Sequence, residues 1–197
     1  MVRTSKSITA WTIAAAAAGI AAVSFATLPP QASIISCALG WTMLAIAVSD
    51  ARRLIVPDVL SLPAIPAGLL VAMLTEYGAY PPLIYLAAAA LGAAALYAIR
   101  GLYSRLRGRQ GLGLGDVKLA AVAGAWTGLE GLSLVLLLAT AAAMGWVLLS
   151  HAVARRPLDG ALAIPFGAFL APAIWATWWL ITSGLVGSEF GGALSAG

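Results

Sequence analysis

Residues 131–151, GLSLVLLLATAAAMGWVLLSH, decide the fold class of this chain. These 21 residues contain no Asp, Glu, Lys or Arg. As a helix they are long enough to cross a hydrocarbon core about 30 Å thick. Backbone polar groups in lipid must be satisfied within the segment, which a helix does. The stretch therefore predicts a transmembrane helix.

Similar apolar runs recur on both sides of this stretch, between short polar connections. Breaks at Pro, Gly and charged residues predict seven spans near residues 8–28, 31–49, 59–75, 82–99, 116–129, 131–151 and 163–186. The fifth is the shortest and carries Asp116 and Lys118 at its start. It is expected to enter the membrane only partly or to begin in a water-filled cavity.

Composition supports the same class. The chain has 197 residues, of which 62% are hydrophobic and 9% charged, and its mean hydropathy is +0.98. A soluble domain is far more charged. We expect one all-α integral-membrane domain over residues 1–197, a polytopic helix bundle of about seven spans. If the first span, after a basic start, is a cleaved signal peptide, six remain. The many glycines, among them Gly19, Gly40, Gly68, Gly92 and Gly145, predict close helix packing.

The distribution of charge predicts the orientation. With the N-terminus in the cytoplasm, every basic residue falls on the cytoplasmic side. These residues are Arg3, Lys6, Arg52, Arg53, Arg100, Arg105, Arg107, Arg109, Lys118, Arg155 and Arg156. The aspartates Asp50, Asp58, Asp116 and Asp159 share that side, and Glu76, Glu130 and Glu189 fall opposite. The basic residues are spread over short loops, so the net charge of +4 indicates membrane topology and not nucleic-acid binding.

Two aspartates are candidates for catalysis because ionisable residues in membrane segments are costly. Asp50 ends the second span and Asp116 begins the fifth, so both lie at one membrane level. Two carboxyl groups on different helices can share a proton and activate a water, one as general base and the other as general acid. Such chemistry needs no metal and no cofactor. Gly113 and Gly115 allow a tight bend before Asp116 and a close substrate approach, or form a plain linker.

Other polar residues have simpler interpretations. Asp58 is a rival partner for Asp50, but after Pro57 it fits the N-cap of the third helix. Lys118 either tunes the carboxyl pair or extends to the interface. Cys37 is the only cysteine, which excludes an intrachain disulfide and a Cys-x-x-Cys zinc site. Serine catalysis lacks a Gly-x-Ser-x-Gly motif, and the single histidine, His151, is poorly placed as a base.

Three motifs carry a resemblance to a known family. They are residues 113–118, GLGDVK, continued by LAAVAGAW, then Asp50, Arg52 and residues 56–60, VPDVL, and finally residues 164–171, IPFGAFLA. In this order, over about residues 33–185, the chain resembles the type IV prepilin peptidases within the Gly-x-Gly-Asp class of membrane aspartic proteases. Residues 1–30 form an additional N-terminal span.

The resemblance implies that Asp50 and Asp116 are catalytic and face the cytoplasm from the bacterial inner membrane. It implies prepilin or pseudopilin substrates, cut after a short basic leader. Pro165, Phe166 and Gly167 either shape the substrate cleft or start the last helix. Many relatives carry a Cys-x-x-Cys region and methylate the product, and its lack here makes N-methyltransferase activity unexpected. Two alternatives remain, a small transporter or channel, which would place acids deep in its helices, and an inactive scaffold of a pilus or secretion machine.

Overall fold

A computed structural model describes residues 2–74, 81–108, 112–154 and 165–186. These residues form six helices: α1 Val2–Thr27, α2 Pro30–Arg53, α3 Asp58–Leu74, α4 Pro82–Arg107, α5 Leu114–Ala154 and α6 Gly167–Thr182. Within the described ranges there is no strand. The all-α prediction is confirmed.

Four helices are long and apolar enough to cross a membrane, with spans at Ala10–Thr27, Pro30–Arg53, Pro82–Leu106 and Leu114–Ala152. The shorter α3 and α6 are also apolar. Large apolar side chains cover the outside of the bundle, for example Trp11, Val59, Leu83, Leu137 and Trp146. An outer surface of this kind suits lipid and would be unfavourable in water.

The predicted fifth and sixth spans are the two halves of α5, which meet at Gly128. A straight helix of 41 residues would be about 60 Å long, twice the hydrocarbon thickness. Gly128 instead has φ 67° and ψ −168°. Gly92 on α4 faces both Ala120 and Leu132, residues about 18 Å apart along a straight helix. The chain therefore turns back at Gly128, and seven spans stay a prediction.

Helix ends follow local chemistry. Pro30 and Pro82 occupy the first turns of α2 and α4, where a missing amide hydrogen costs nothing. Gly108 ends α4 in the left-handed conformation, with φ 66°, as glycine commonly does. Leu54 ends α2 with φ 55° and donates its amide to the Asp50 carbonyl at 2.8 Å.

Small residues allow the helices to approach closely. At Gly40, Gly68 and Gly92 an added Cβ would lie within 2.6–2.7 Å of Ile20, Trp126 and Ala120 respectively. Gly19 and Gly145, by contrast, have open space around them. The prediction of close packing is thus confirmed for three of these five glycines and is wrong for the other two.

A hydrogen-bonded seam joins α1, α2 and α6. The Ser24 and Ser36 hydroxyls lie 2.7 Å apart, and the Trp175 indole donates to Ser36 Oγ at 3.1 Å. Ser33 Oγ donates to the Ser24 carbonyl at 3.0 Å. Each serine is fully buried, so the seam satisfies polar groups that lipid could not.

The topology places the described basic side chains at one end of the bundle. Arg52 and Arg53 lie in the last turn of α2, Arg100 contacts the segment before α5, and Lys118 pairs with the start of α3. We call this the charged end. Some residues of the orientation prediction lie outside what the structure describes, namely Glu76, Arg109, Arg155, Arg156, Asp159 and Glu189, and the side chains of Arg3, Lys6 and Arg107.

Replacing Gly128 by Ala should destabilise the protein, because a side chain rarely adopts this φ and ψ and such strain costs about 1–3 kcal/mol. Thermal unfolding of the purified protein in detergent should show a lower midpoint. Gly145→Ala is the matched control, since that glycine is helical with open space around it, and it should be neutral or slightly stabilising. Equal midpoints for Gly128→Ala and the unmodified chain would contradict a fixed turn at Gly128.

Candidate active site

Asp50 is buried where α2 meets the start of α6. It lies in the last turn of α2 and is 5% exposed. Its Oδ2 accepts a hydrogen bond of 2.9 Å from the backbone amide of Ala168, in the first turn of α6. The amides at a helix N-terminus carry partial positive charge, so they suit a carboxylate. Asp50 is thereby held by another helix and not by a basic side chain.

Gly167 makes this contact possible. A Cβ at Gly167 would lie 2.9 Å from Asp50 Oδ2 and 3.0 Å from its Cγ. Any side chain would therefore push the carboxyl group away from the α6 amides. The glycine of the Pro-Phe-Gly stretch thus lies against Asp50, while Pro165 and Phe166 are half-buried and accept the first backbone bonds of α6.

Asp116 lies in the first turn of α5 and is 8% exposed. Its Oδ2 accepts a hydrogen bond of 3.2 Å from the amide of Gly113, in the loop just before the helix. The bend predicted at the glycines therefore folds the loop back onto its own aspartate. The side chain and the loop set each other's position.

Val56 connects the two aspartate segments. A Cβ at Gly115 would lie 2.6 Å from Val56 Cγ2, and one at Gly167 would lie 3.2 Å from the same atom. Val56 is 8% exposed, so it is enclosed between the two glycines. Asp50 lies against Gly167, and Asp116 directly follows Gly115, so the two aspartate segments meet around Val56. The structure thus brings both predicted aspartates into one buried region of the charged end.

The turn that carries Val56 is fixed by local hydrogen bonds. Besides the bond from the Leu54 amide to Asp50, the Ser49 hydroxyl donates to the Ile55 carbonyl at 2.9 Å. Leu54 is the one described residue other than glycine with positive φ. That conformation costs leucine roughly 1–2 kcal/mol, which the surrounding bonds offset. The chain can then reverse between α2 and α3 within a few residues.

Lys118 and Asp58 pair with each other. Lys118 Nζ donates to Asp58 Oδ1 at 2.5 Å, with the side chains 32% and 57% exposed. Asp58, predicted as the N-cap of the third helix, is instead the first residue of α3. The pair joins α5 to α3, and an exposed ion pair of this kind contributes about 0–1 kcal/mol. Neither of the two sequence interpretations of Lys118, tuning the carboxyls or reaching for the interface, included this partner.

Three further residues help to build the site, although no sequence motif identifies them as functional. Val56 lies inside a quoted motif but has no reactive group, and Ala168 contributes only its backbone amide. Arg100 Nε donates to the Leu112 carbonyl at 3.1 Å and so holds the loop that leads to Asp116. Pro-Phe-Gly could have indicated the amide site, since it opens a helix at the charged end. Nothing in the sequence pairs Arg100 with Leu112.

Side chains that commonly bind metal ions do not cluster in the described part of the chain. Among those residues, no group of three or more His, Cys, Asp or Glu side chains is placed to hold a metal ion. Cys37 is buried within α2, as expected of a small apolar residue. His151 lies in the last turn of α5.

Comparison with known proteins places this arrangement in a family. Residues 37–148, more than half of the chain, match the type IV leader peptidase family. The chain belongs to that family. The matched region contains Asp50, Asp116 and the contacts of Val56 with Gly115.

Individual relatives agree with the family assignment. A prepilin leader peptidase/N-methyltransferase of Xanthomonas campestris pv. campestris is 36% identical over 144 residues, 73% of this chain and 47% of the relative. The prepilin leader peptidase/N-methyltransferase of Aeromonas salmonicida is 34% identical over 161 residues, which cover 78% of this chain and 51% of the relative. That of Pseudomonas aeruginosa is 35% identical over 140 residues, which cover 70% of this chain and 46% of the relative. The chain spans about half the length of these relatives. No solved structure matches it.

Replacing Gly115 by Ala should force Val56 away from the loop, since the new methyl group would lie 2.6 Å from Val56 Cγ2. Overpacking of this kind costs about 1–3 kcal/mol and should lower the unfolding midpoint in detergent. Val56→Gly in the same chain removes both Val56 Cγ2 and Val56 Cβ, which would lie 2.7 Å from the new methyl group, and should restore part of the loss.

Gly113→Ala is the control for this pair. Its new methyl group would come no closer than 3.4 Å to another group, Asp116 Oδ2, so the midpoint should change little. Strictly additive effects of Gly115→Ala and Val56→Gly would show that the two residues do not touch.

Proposed function

We propose that this protein is a membrane-embedded aspartic endopeptidase that removes the short basic leader of type IV prepilins or pseudopilins. The observation that carries the proposal is the burial of Asp50 and Asp116, from two different helices, in one region of the charged end. Family membership supports hydrolysis of a peptide bond. The relatives named above are prepilin leader peptidases, which supports the substrate class.

The reaction needs one carboxylate and one protonated carboxyl group. A water between them attacks the carbonyl carbon of the scissile bond and gives a proton to the carboxylate. The other carboxyl group protonates the carbonyl oxygen, which yields a neutral tetrahedral diol. Its collapse breaks the C–N bond, and a proton moves to the leaving nitrogen. The products are a free carboxyl terminus and a free amine, and the pair again holds a single proton.

The surroundings of the aspartates suit this chemistry. Both side chains are at most 8% exposed, so few competing waters reach them and their charges act at low dielectric. The backbone amide of Ala168 donates a hydrogen bond to one carboxyl oxygen of Asp50, and that of Gly113 donates to one carboxyl oxygen of Asp116. Both of these hydrogen bonds are made to Oδ2, and we assign Oδ1 of each side chain to the water or the substrate. These backbone donors orient the two carboxyl groups before substrate arrives.

The depth of the site matches the proposed substrate. A prepilin leader is polar, and the bond to be cut directly precedes an apolar helix. Asp50 and Asp116 lie at helix ends, which is the depth where such a bond enters the membrane. The arginines of the charged end favour the cytoplasmic side under the positive-inside rule. We therefore assign the site to the cytoplasmic face of the inner membrane.

The position of the acids also bears on the transporter alternative. Ion relays place acids near the bilayer midplane, whereas Asp50 occupies the last turn of α2 and Asp116 the first turn of α5. The arrangement favours hydrolysis at the surface. An inactive scaffold would keep the same bundle, and only activity distinguishes it from the enzyme.

Processing of a prepilin should require both aspartates. Co-expression with a prepilin from the same genome, followed by a gel-shift assay, should show cleavage by the unmodified chain. Asp50→Asn and Asp116→Asn should each reduce it by at least about a hundredfold, the contribution typical of general acid or base catalysis. Asparagine keeps the size of the side chain, so the loss reports proton transfer.

Asp58→Asn is the matched control, because it removes an aspartate from the same end of the bundle but from an exposed ion pair with Lys118. Processing should stay within about threefold of the unmodified level. Cleavage that survives either active-site change at equal protein abundance would rule out the two-aspartate mechanism. No cleavage of any candidate pilin by the unmodified chain would favour the scaffold.

A further inference from the structure

A cleft on α4 lies beside the active-site loop and has no part in the proposed reaction. It has a volume of about 250 Å³ and is lined by Tyr97, Arg100, Gly101, Ser104 and Arg105. Gly101 forms its floor, since the space where a side chain would begin has no atom within 4 Å. Tyr97 and Arg105 stand one helical turn before and after this glycine. The missing side chain therefore opens a notch between an aromatic ring and a guanidinium group.

The lining of the cleft is suited to an anion. Among the residues that the structure describes, the lining contains two arginines and no acidic side chain. Arg100 is fixed in place because its Nε donates to the Leu112 carbonyl at 3.1 Å, so little of its side-chain entropy remains to be lost on binding. Guanidinium groups match phosphate oxygens in geometry and charge.

The depth of the cleft indicates which phosphate would meet it. Helix α4 begins at Pro82, and about 20 residues of helix cross a hydrocarbon core of about 30 Å. Gly101 is the twentieth residue of α4, so the cleft lies where lipid head groups begin. Ile99, Leu102 and Leu106 lie on the face of α4 opposite the cleft and are 55%, 60% and 74% exposed, so that face suits lipid acyl chains.

We infer that this cleft binds the phosphate of an anionic phospholipid. Basic pockets between or beside membrane helices on the cytoplasmic side are suited to anionic head groups. Free phosphate shares the ionic chemistry but, unlike a lipid head group, is not held by the bilayer at the depth of the cleft. The bound lipid would lie against Arg100, whose partner Leu112 directly precedes Gly113 of the active-site loop. This inference concerns binding and does not depend on the proposed peptidase activity.

Native mass spectrometry of the whole chain in a non-ionic detergent tests the inference with defined lipids. Phosphatidylglycerol should bind at lower concentration than phosphatidylcholine. Arg105→Gln should weaken phosphatidylglycerol binding about fivefold, as expected for one basic residue at the membrane surface. Gly101→Leu should weaken it at least as much, because leucine fills the notch without changing the charge. Leucine is also a better helix former than glycine, so the fold should be kept.

Two variants distinguish lipid binding at the cleft from a general effect of positive charge at this end of the bundle. Arg53→Gln removes an exposed arginine from the same end of the bundle but outside the cleft, and its lipid binding should be unchanged. Arg105→Lys keeps the charge and should retain most of the binding. Unchanged phosphatidylglycerol binding in both Gly101→Leu and Arg105→Gln would overturn the inference, as would equal binding of the two lipids.

Inorganic phosphate distinguishes the two sources of the anion. Weak competition by phosphate against phosphatidylglycerol would support a lipid site. Displacement at comparable concentrations, with the same sensitivity to Gly101→Leu, would show that the cleft takes free phosphate and would overturn the lipid assignment.

Discussion

Two carboxyl groups are buried in this bundle, and backbone amides hold them there. A buried ionisable group is costly unless it has a hydrogen-bonding partner, and here the partners are the amides of Ala168 and Gly113. An amide can approach a carboxyl group closely only where no side chain intervenes. Gly167 meets this requirement, since it admits Asp50 to the start of α6, and Gly115 separately admits the Val56 side chain to the segment that carries Asp116.

The rest of the fold brings these amides and carboxyl groups to the same end. The site is built from the end of α2 and the starts of α5 and α6. For α6 to begin where α5 begins, the chain between them must cross the bundle and return. The turn at Gly128 provides this return within α5. Close packing against α4, at Gly92 and Gly124, then holds the first half of α5 in position.

The helices and their ends could largely be predicted from the sequence, because the length of an apolar segment and the position of helix-breaking residues are local properties of the chain. The runs of apolar residues predicted the helices, and proline marked the starts of α2 and α4. The approach of Asp50 to Asp116 followed from equal depth in the membrane. The pairing of Lys118 with Asp58 and of Arg100 with Leu112 could not be predicted, since each depends on the rotation of one helix relative to another. Val56 was missed because its role is one of shape and not of chemistry.

The two aspartates are anchored in unequal ways. Asp50 is fixed between two helices, since its side chain lies in the last turn of α2 and its donor in the first turn of α6. The donor to Asp116 is only three residues away, in the loop that leads into its own helix. Moving Asp50 therefore requires one packed helix to shift against another, whereas a small change of backbone angle near Gly113 reorients Asp116. The pair combines a stationary carboxyl group with an adjustable one, so its spacing is set from the loop side.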